Sequence, residues 1–539
     1  LKKEKEVDRS QSITSVTGHK LNNLIIGILV LALGYFANDK FVLDAKHHEE
    51  LAKAVQTAEE NTAAANETTA GDSDTDVKSI AVLPFVNMSS DQEQEYFSDG
   101  LSEELLNLLA KIPDLRVAAR TSSFSFKGQN IEIPEIASRL KVAHVLEGSV
   151  RKSGNQLRIT AQLIKADDGY HLWSETYDRQ LDNIFQIQDD IAAAVVAALK
   201  ITLLGDAPTA RETDPIAYQL FLEGQSIRRQ ISAPTIPKAI ELFKQALAID
   251  PVYTPAWAEL AYAYMWGAGL SVMPIEEGYL LAEHAVEMAI ESDPDYAWAY
   301  FVRGVAKIFN KFDFKGGAED YQLALQLDPG NSYFISANGG SARVLGRLDE
   351  SLGLYQAAIE LDPLMAEIRS WQGLAYQYAG QLDQAETAYR TTLILSPDYS
   401  GAHYRLGRVL LKQGKIEEGL TEMKREASSV YNHTGLAMAH YVMGDHKASQ
   451  SALDTLIRNH ANSAALQIAE VYGYRDEHDK AFKWLEESLA IRDPGLAGIL
   501  GNPAFLGLRK DPRWQPFLEK LGLLEFWLEM PPEHGGPIQ

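Results

Sequence analysis

The 539-residue sequence contains no cysteine, so disulfides, thiolate metal sites and cysteine nucleophiles are excluded. It also lacks the GxSxG, HExxH, GxxxxGKS/T and GxGxxG motifs that mark common nucleophile, zinc and phosphate sites. The formal net charge of −24 repels phosphate backbones and argues against nucleic-acid binding. These absences predict a chain that is not an enzyme, uses no cofactor, binds no metal and has other proteins as its partners.

Long apolar runs are scarce, and one stands near the start of the chain. Residues 24–36 carry no charge, and extending the run to residue 43 reaches the roughly 20 residues that cross a bilayer. Lysine and arginine are somewhat more frequent before the run, which favours a cytoplasmic N-terminal side. The sequence predicts a juxtamembrane segment at 1–20, a transmembrane helix at 21–43 and a stalk at 44–77.

This arrangement places the protein in a bacterial inner membrane, with a single visible span and the C-terminal bulk in the periplasm. The alternative for the apolar run is a buried core helix. The chain opens with Leu1 rather than methionine, which indicates a fragment or a processed form whose upstream part holds further segments.

Alternating apolar residues begin after residue 77. Strand patterns, three helical patterns and turn residues at Ser153–Asn155 and Asp167–Gly169 predict one sheet with packed helices, an α/β domain at 78–204. The segments SIAVLPFVNMSSDQEQEYFSDGLSEELLNLL, VAARTSSFSFKG, HVLEGSVRKSGNQLRITAQLI and LWSETYDR resemble the TolB amino-terminal-like (FlgO-like) domain. In many bacterial proteins of this kind, the domain precedes an array of tetratricopeptide (TPR) repeats.

The second half of the chain repeats itself every 34 residues. Three sets of residues show this spacing: Gly339, Gly373 and Gly407; Gly346, Gly380 and Gly414; and Pro329, Pro363 and Pro397. A period of 34 is typical of the helix-turn-helix unit of TPR proteins. The pattern predicts an all-α TPR solenoid of seven or eight units at 212–494, with C-terminal capping helices and a tail at 495–539.

The resemblance to TPR proteins also implies a binding surface, because the first helix of each unit lines the concave side of such solenoids. Mapping the turns of these helices onto the sequence gives a candidate protein-binding set: Tyr262, Trp298, Phe301, Tyr333, Arg343, Gln377, Tyr404 and Arg408. Aromatic and arginine side chains dominate the energies of protein interfaces. The alternative, strongest for Trp298 and Phe301, is packing between neighbouring units.

Acidic and histidine clusters give weaker patterns, and each has a structural alternative. The run Asp72–Asp76 begins like a calcium loop, but Val77 stands where that loop needs glycine. His47 and His48 are adjacent, so on a helix they would point about 100° apart. The pairs at 167–168 and 189–190 suit a hairpin turn and an exposed helix face.

The sequence as a whole predicts a multidomain protein: a transmembrane helix, then an α/β (TolB-like) domain, then an all-α TPR solenoid. Its predicted function is that of a membrane-anchored periplasmic scaffold or adaptor, which binds proteins or peptides of the cell envelope through the concave TPR surface. A homo-oligomer is among the assemblies that the sequence leaves open. The alternative is an extracytoplasmic sensor arm of a signalling protein, whose cytoplasmic effector is a winged-helix regulator or an adenylate cyclase outside this sequence. An unrecognised hydrolase in the α/β domain is a third hypothesis.

Overall fold

The computed structural model describes residues 78–91, 94–112, 115–199, 201 and 209–537. Its first part is a sheet with helices on both faces. The strands are β1 (Ser79–Val82), β2 (Val86–Asn87), β3 (Arg116–Val117), β4 (His144–Ser153), β5 (Gln156–Lys165) and β6 (His171–Gln180). The helices of this part are α1 (Glu95–Ala110), α2 (Arg120–Phe124), α3 (Ile133–Leu140) and α4 (Ile184–Ala198).

The strand order is β3-β1-β4-β5-β6, with β2 paired to β4 beyond the end of β1. β1 runs parallel to β3 and β4, whereas β4, β5 and β6 form antiparallel hairpins. Gly154 closes the first hairpin with a φ of 58°, a conformation that glycine adopts without steric cost. β6 therefore lies at one edge of the sheet.

The two faces of the sheet are covered unequally. One face buries Ile80, Leu146 and Ile159 in a core that also contains residues of α1 and α4. The other face packs against α3 only around β1 and the start of β4, where Ala81 and Val145 meet the helix. The outer halves of β5 and β6 on that second face remain open to solvent.

Sixteen helices follow in the described part of the chain, and they pack as eight antiparallel pairs. They are α5 (Pro215–Arg228), α6 (Ile236–Ile249), α7 (Thr254–Gly269), α8 (Ile275–Ser292), α9 (Ala297–Lys311), α10 (Phe314–Leu327), α11 (Ser332–Val344), α12 (Leu348–Leu361), α13 (Ala366–Tyr378), α14 (Leu382–Leu395), α15 (Ala402–Lys412), α16 (Ile416–Arg425), α17 (Ser429–Val442), α18 (His446–His460), α19 (Ala465–Tyr474) and α20 (His478–Ala490). Within a pair, a small residue lets the helices approach. A Cβ on Gly373 would lie 2.9 Å from the Tyr389 ring of the second helix.

The chain ends in short helices that are packed against the solenoid. These are 3-10 helices at Pro494–Gly501, Pro503–Phe505, Gly507–Lys510 and Pro532–His534, and the α-helices α21 (Trp514–Lys520) and α22 (Leu524–Glu529). Trp514, Phe517 and Trp527 are almost completely buried, so this region belongs to the hydrophobic core. Met530 contacts Gly346 at the turn between α11 and α12.

The α/β domain touches the solenoid at two places that are far apart along the solenoid sequence. Near the start of the solenoid, Glu103 of α1 pairs with Arg229, which follows α5, and with Arg120. Farther along the sequence, the Ser122 hydroxyl donates to the Asp362 carboxylate and accepts the backbone N–H of Leu364 at 2.9 Å. Arg120 and Ser122 both lie on α2, so this short helix takes part in both contacts.

Both contacts bury carboxyl groups. Burial raises the pKa of Asp362 to about 6. Burial and the neighbouring Glu103 raise the pKa of Glu104 to about 7. Ionised Glu103, by contrast, is stabilised by its two arginines, which hold its pKa below the usual range against the effect of burial.

The predicted fold class, which included a transmembrane helix, needs correction. In the ranges that the structure describes, no helix combines the length and the apolar character needed to cross a bilayer. α8 illustrates the reason: although it has 18 residues, Glu276, Glu277 and further glutamates would have to enter the hydrocarbon.

The described residues form an α/β domain followed by a helical solenoid. The predicted inner-membrane localisation with a single span is not supported and is withdrawn. The segments 1–20, 21–43 and 44–77, with Asp72–Asp76 and the histidine pair at 47–48, lie outside the described residues.

Candidate protein-binding surface

All eight side chains predicted for the concave surface lie on the first helices of consecutive pairs. Tyr262 is on α7, Trp298 and Phe301 are on α9, Tyr333 and Arg343 are on α11, Gln377 is on α13, and Tyr404 and Arg408 are on α15. Ring and guanidinium contacts connect α7 to α9, α9 to α11 and α11 to α13 in turn. We call this continuous surface of first helices the inner face.

Four of these residues form an aromatic cluster on α7, α9 and α11, which we call the aromatic row: Tyr262, Trp298, Phe301 and Tyr333. Trp298 stacks on Phe301 with ring centroids 4.8 Å apart, and Tyr262 meets Trp298 edge-on at 5.5 Å. Phe301 is buried beneath the others, with 4% of its surface exposed, and it contacts Tyr333 at 5.1 Å. Tyr262, Trp298 and Tyr333 keep part of their surface exposed.

The aromatic row also offers polar groups. The indole N–H of Trp298 is buried and has no hydrogen-bond partner among the described residues. Burial raises the pKa values of Tyr262 and Tyr333, whose hydroxyls hydrogen-bond to each other. This surface can therefore bury an apolar group and also satisfy hydrogen-bond acceptors.

Arg343 begins the second half of the predicted set and is buried, with 7% of its surface exposed. Its guanidinium lies 5.5 Å from the ring centroids of both Trp371 and Tyr378. No carboxylate pairs with it among the described residues, so these aromatic contacts replace an ion pair. Gln377 is buried as well, and its side-chain oxygen accepts a hydrogen bond from the Tyr389 hydroxyl at 3.3 Å.

Tyr404 and Arg408 belong to a buried polar network. The Tyr404 hydroxyl donates to Glu470 of α19 at 2.8 Å, and Arg408 lies 3.8 Å from the same carboxylate. Arg408 also donates to the side-chain oxygen of Asn502 at 3.0 Å, while the amide of Asn502 donates to Glu470. Asn502 comes from the C-terminal part of the chain, so the chain itself supplies the partner of Arg408.

The covering element is the C-terminal segment, residues 494–510. Its Gly498 carbonyl accepts a hydrogen bond from the Tyr378 hydroxyl at 3.0 Å. Leu506 is exposed, whereas five large apolar side chains of the segment are completely or almost completely buried: Leu496, Ile499, Leu500, Phe505 and Leu508. Each fully buried side chain of this size stabilises a fold by roughly 1.5–3 kcal/mol, so together they contribute on the order of 10 kcal/mol.

The free energy contributed by these buried side chains indicates whether a ligand could displace the segment. A peptide that displaced it would have to replace about as much free energy as a complex with a nanomolar Kd provides, roughly 12 kcal/mol. The C-terminal segment is therefore a permanent part of the solenoid. It separates Arg343, Gln377, Tyr404 and Arg408 from the more open aromatic row.

Glycine spacing explains how the segment fits, and it is the signal that the sequence analysis missed. Gly495, Gly498 and Gly501 recur every third residue, and in a 3-10 helix residues three apart lie on one side. A Cβ on Gly501 would overlap the ring of Tyr378, and one on Gly498 would lie 3.0 Å from the Tyr378 hydroxyl. The glycine side of the 3-10 helix thus faces the inner face of the solenoid.

The paired carboxylates noted in the sequence serve local structure. Asp168 accepts the backbone N–H of Tyr170 at 3.0 Å in the β5–β6 turn, and Asp189 accepts that of Ala210 at 2.6 Å. Within the described ranges, no group of three or more histidine and carboxylate side chains is arranged to hold a metal ion.

Comparison with known proteins supports the interpretation of the repeats. A family model described as tetratricopeptide repeat matches residues 372–429, the region from α13 to the start of α17. The chain contains TPR repeats. In solved structures, similarity is found to PilF of Pseudomonas aeruginosa, with 19% identity, 42% of this chain and 98% of that chain covered, and a TM-score of 0.33.

PilW, a type IV pilus biogenesis factor, is similar at 20% identity over 38% of this chain and 93% of its own, with a TM-score of 0.34. Likenesses this remote carry no argument about function.

The α/β domain matches a different family model from the one its sequence resembles. Residues 76–194 match the model described as the second domain of HilA/YgeH-like transcriptional regulators. The assignment to the TolB-like family stays a prediction.

A curated relative from Rhizobium meliloti (strain 1021), named "Putative adenylate cyclase 3", is 42% identical over 187 residues. This match covers 34% of the chain and 32% of the relative, so the chain spans about a third of that protein's length.

Proposed function

We propose that the chain is a non-catalytic protein-binding module, and that the aromatic row receives a polypeptide segment of the partner. The observation that supports this proposal is the partial exposure of Tyr262, Trp298 and Tyr333, which stand together on three consecutive first helices. Rigid aromatic side chains bury much area at a low entropic cost, and they are the most frequent hot spots of interfaces.

The polar groups of the aromatic row fit the same partner. A polypeptide backbone presents carbonyl oxygens, and the indole N–H of Trp298 lacks an acceptor in the described part of the chain. A buried donor without an acceptor costs about 1–3 kcal/mol, so an incoming carbonyl would remove this cost. The expected ligand is therefore an extended segment with an apolar side chain next to free backbone carbonyls.

Arg343, Gln377, Tyr404 and Arg408 were predicted as contacts of the same ligand. Arg408 contacts Asn502 directly and Tyr404 does so through Glu470, so their proposed role is to hold the C-terminal segment in place. Arg343 and Gln377 are buried by contacts within the solenoid, which gives them a packing role. The ligand site then contains half of the predicted set, on α7, α9 and α11.

A selection from a display library of short random peptides tests this proposal, with the full chain as bait. A selected peptide is expected to lose at least about tenfold in affinity to Tyr262→Ala or Tyr333→Ala, equivalent to 1.4 kcal/mol or more. Tyr279→Ala is the matched control, because it removes a partly exposed tyrosine from α8 in the same helix pair. Peptides that bind all three variants equally well, or a library that yields no binder, would contradict the proposal.

The second candidate is that the module is the sensing arm of a signalling protein, in which binding at the solenoid changes the activity of an effector. Two observations favour it: the α/β domain matches a domain model from transcriptional regulators, and a relative with 42% identity carries the name of an adenylate cyclase. The coding sequence upstream of Leu1 provides the test. An open reading frame that continues into a DNA-binding or cyclase domain supports the sensing arm, and one without an effector domain contradicts it.

A further inference from the structure

β6 is a long edge strand whose outer backbone edge has no partner in the described part of the chain. Its ten residues, His171–Gln180, pair only with β5. Most of its side chains are exposed, including Leu172 with 44% of its surface, and Tyr170 in the turn before the strand is 73% exposed. An unpaired edge displays a row of backbone N–H and C=O groups, which is a template for a further strand.

Three of the usual devices that protect such an edge, namely proline, lysine and a bulge in the middle of the strand, are missing from β6. The strand HLWSETYDRQ contains neither proline nor lysine, and its register shift lies at the beginning, opposite Leu163 and Ile164. From Trp173 to Gln180 the pairing with β5 is regular. Eight residues therefore offer a regular edge to another strand.

Symmetry restricts how a second copy could use this edge. Two identical edge strands pair antiparallel about a two-fold axis perpendicular to the sheet. Such an axis places the same face of both sheets on the same side. Residues opposite each other must then come from the same face of the strand, so the axis passes through a residue rather than between two residues. Four residues lie at the middle of the exposed edge and are possible centres: Glu175, Thr176, Tyr177 and Asp178.

Charge distinguishes these centres. Centring on Glu175 or on Asp178 places two like charges directly opposite each other, which destabilises a strand pair. Centring on Tyr177 instead places Glu175 opposite Arg179 of the second copy, and two-fold symmetry repeats this pair. A centre at Thr176 forms no pair of opposite charges.

We infer that β6 pairs antiparallel with β6 of a second copy, centred on Tyr177, and that the two sheets become continuous. The partner is a second copy because the complementarity is internal to the strand: Glu175 and Arg179 lie on the same face, and both are exposed. Opposite charges on paired strands each contribute roughly 0.2–1 kcal/mol, in addition to the new backbone hydrogen bonds. This inference is independent of the aromatic row and of the proposed function.

Charge reversal tests the register as well as the association. Sedimentation equilibrium of the full chain is expected to show a dimer. Glu175→Arg alone and Arg179→Glu alone place like charges opposite each other twice, so each should weaken the dimer at least about tenfold. The double variant Glu175→Arg with Arg179→Glu restores both pairs in reversed order, and it should associate like the original chain.

Arg139→Glu on α3 is the control, because it reverses an exposed charge away from β6 and should leave the dimer unchanged. Circular dichroism of each variant checks that the fold is intact, and the double variant provides a second check because it contains both changes. A monomeric original chain, single variants that associate normally or a double variant that fails to associate would each overturn the inference.

Discussion

The two halves of the inner face arise from the same repeat but differ in what covers them. On α7, α9 and α11, the aromatic row is packed by its own repeats and keeps part of its surface open. On α13 and α15, Gln377 and Tyr404 are buried, and Arg408, whose side chain is 10% exposed, bonds to Asn502 of the C-terminal segment. The difference shows that the repeat determines where a side chain points, whereas a distant part of the chain determines whether a ligand can reach it.

Among the substitutions that test how the C-terminal segment is held, removing Arg408 is expected to have the largest effect on stability. Arg408→Ala leaves Glu470 buried, with 8% of its side chain exposed and no cationic partner nearby. Breaking a buried ion pair in this way costs about 3–5 kcal/mol, and the loss of the contact to Asn502 should loosen the C-terminal segment. Urea unfolding should show the loss as a lower free energy of unfolding.

Arg347→Ala is the control for this variant. Arg347 pairs with Glu350 at the solvent-exposed start of α12, where both side chains are about half exposed. Its removal should change the free energy of unfolding by no more than about 0.5 kcal/mol. A variant at Arg408 that costs no more than the control would show that the C-terminal segment does not depend on this network.

A smaller effect is expected when the fit of the segment itself is changed. Gly501→Ala adds a Cβ that would overlap the Tyr378 ring, and overpacking of this kind costs about 1–3 kcal/mol. Gly353→Ala is the matched control, because Gly353 lies in helix α12 with no atom within 4 Å of the added Cβ. It should stabilise the protein by about 0.5–1 kcal/mol. If Gly501→Ala and Gly353→Ala shifted the urea midpoint equally, the close contact between residue 501 and Tyr378 would be contradicted.

The repeated part of the fold could be predicted from the sequence because its constraints recur. Glycine and proline return every 34 residues, and each has a local cause: Gly346, Gly380 and Gly414 end first helices with φ between 75° and 81°. The same regularity placed all eight candidate residues on first helices. Periodicity therefore predicted position along the solenoid well.

Which side chains of the inner face are covered by the C-terminal segment could not be predicted in the same way. The contacts of Tyr378 with Gly498 and of Arg408 with Asn502 join residues 120 and 94 positions apart. Such contacts depend on the curvature of the whole solenoid, which no local pattern encodes. Gly498 and Gly501 of the C-terminal segment were visible in the sequence, but their role depends on Tyr378, which faces both of them.

Thiol reactivity tests the division of the inner face most directly, because the chain contains no cysteine and each introduced thiol is the only one. Tyr333→Cys places a thiol in the aromatic row, and Gln377→Cys places one at a position that is only 3% exposed, next in sequence to Tyr378, which bonds to the C-terminal segment. In the folded protein, the thiol at 333 should react with a water-soluble disulfide reagent at least about tenfold faster than the one at 377, which must wait for local opening. Equal rates at the two positions would contradict the account.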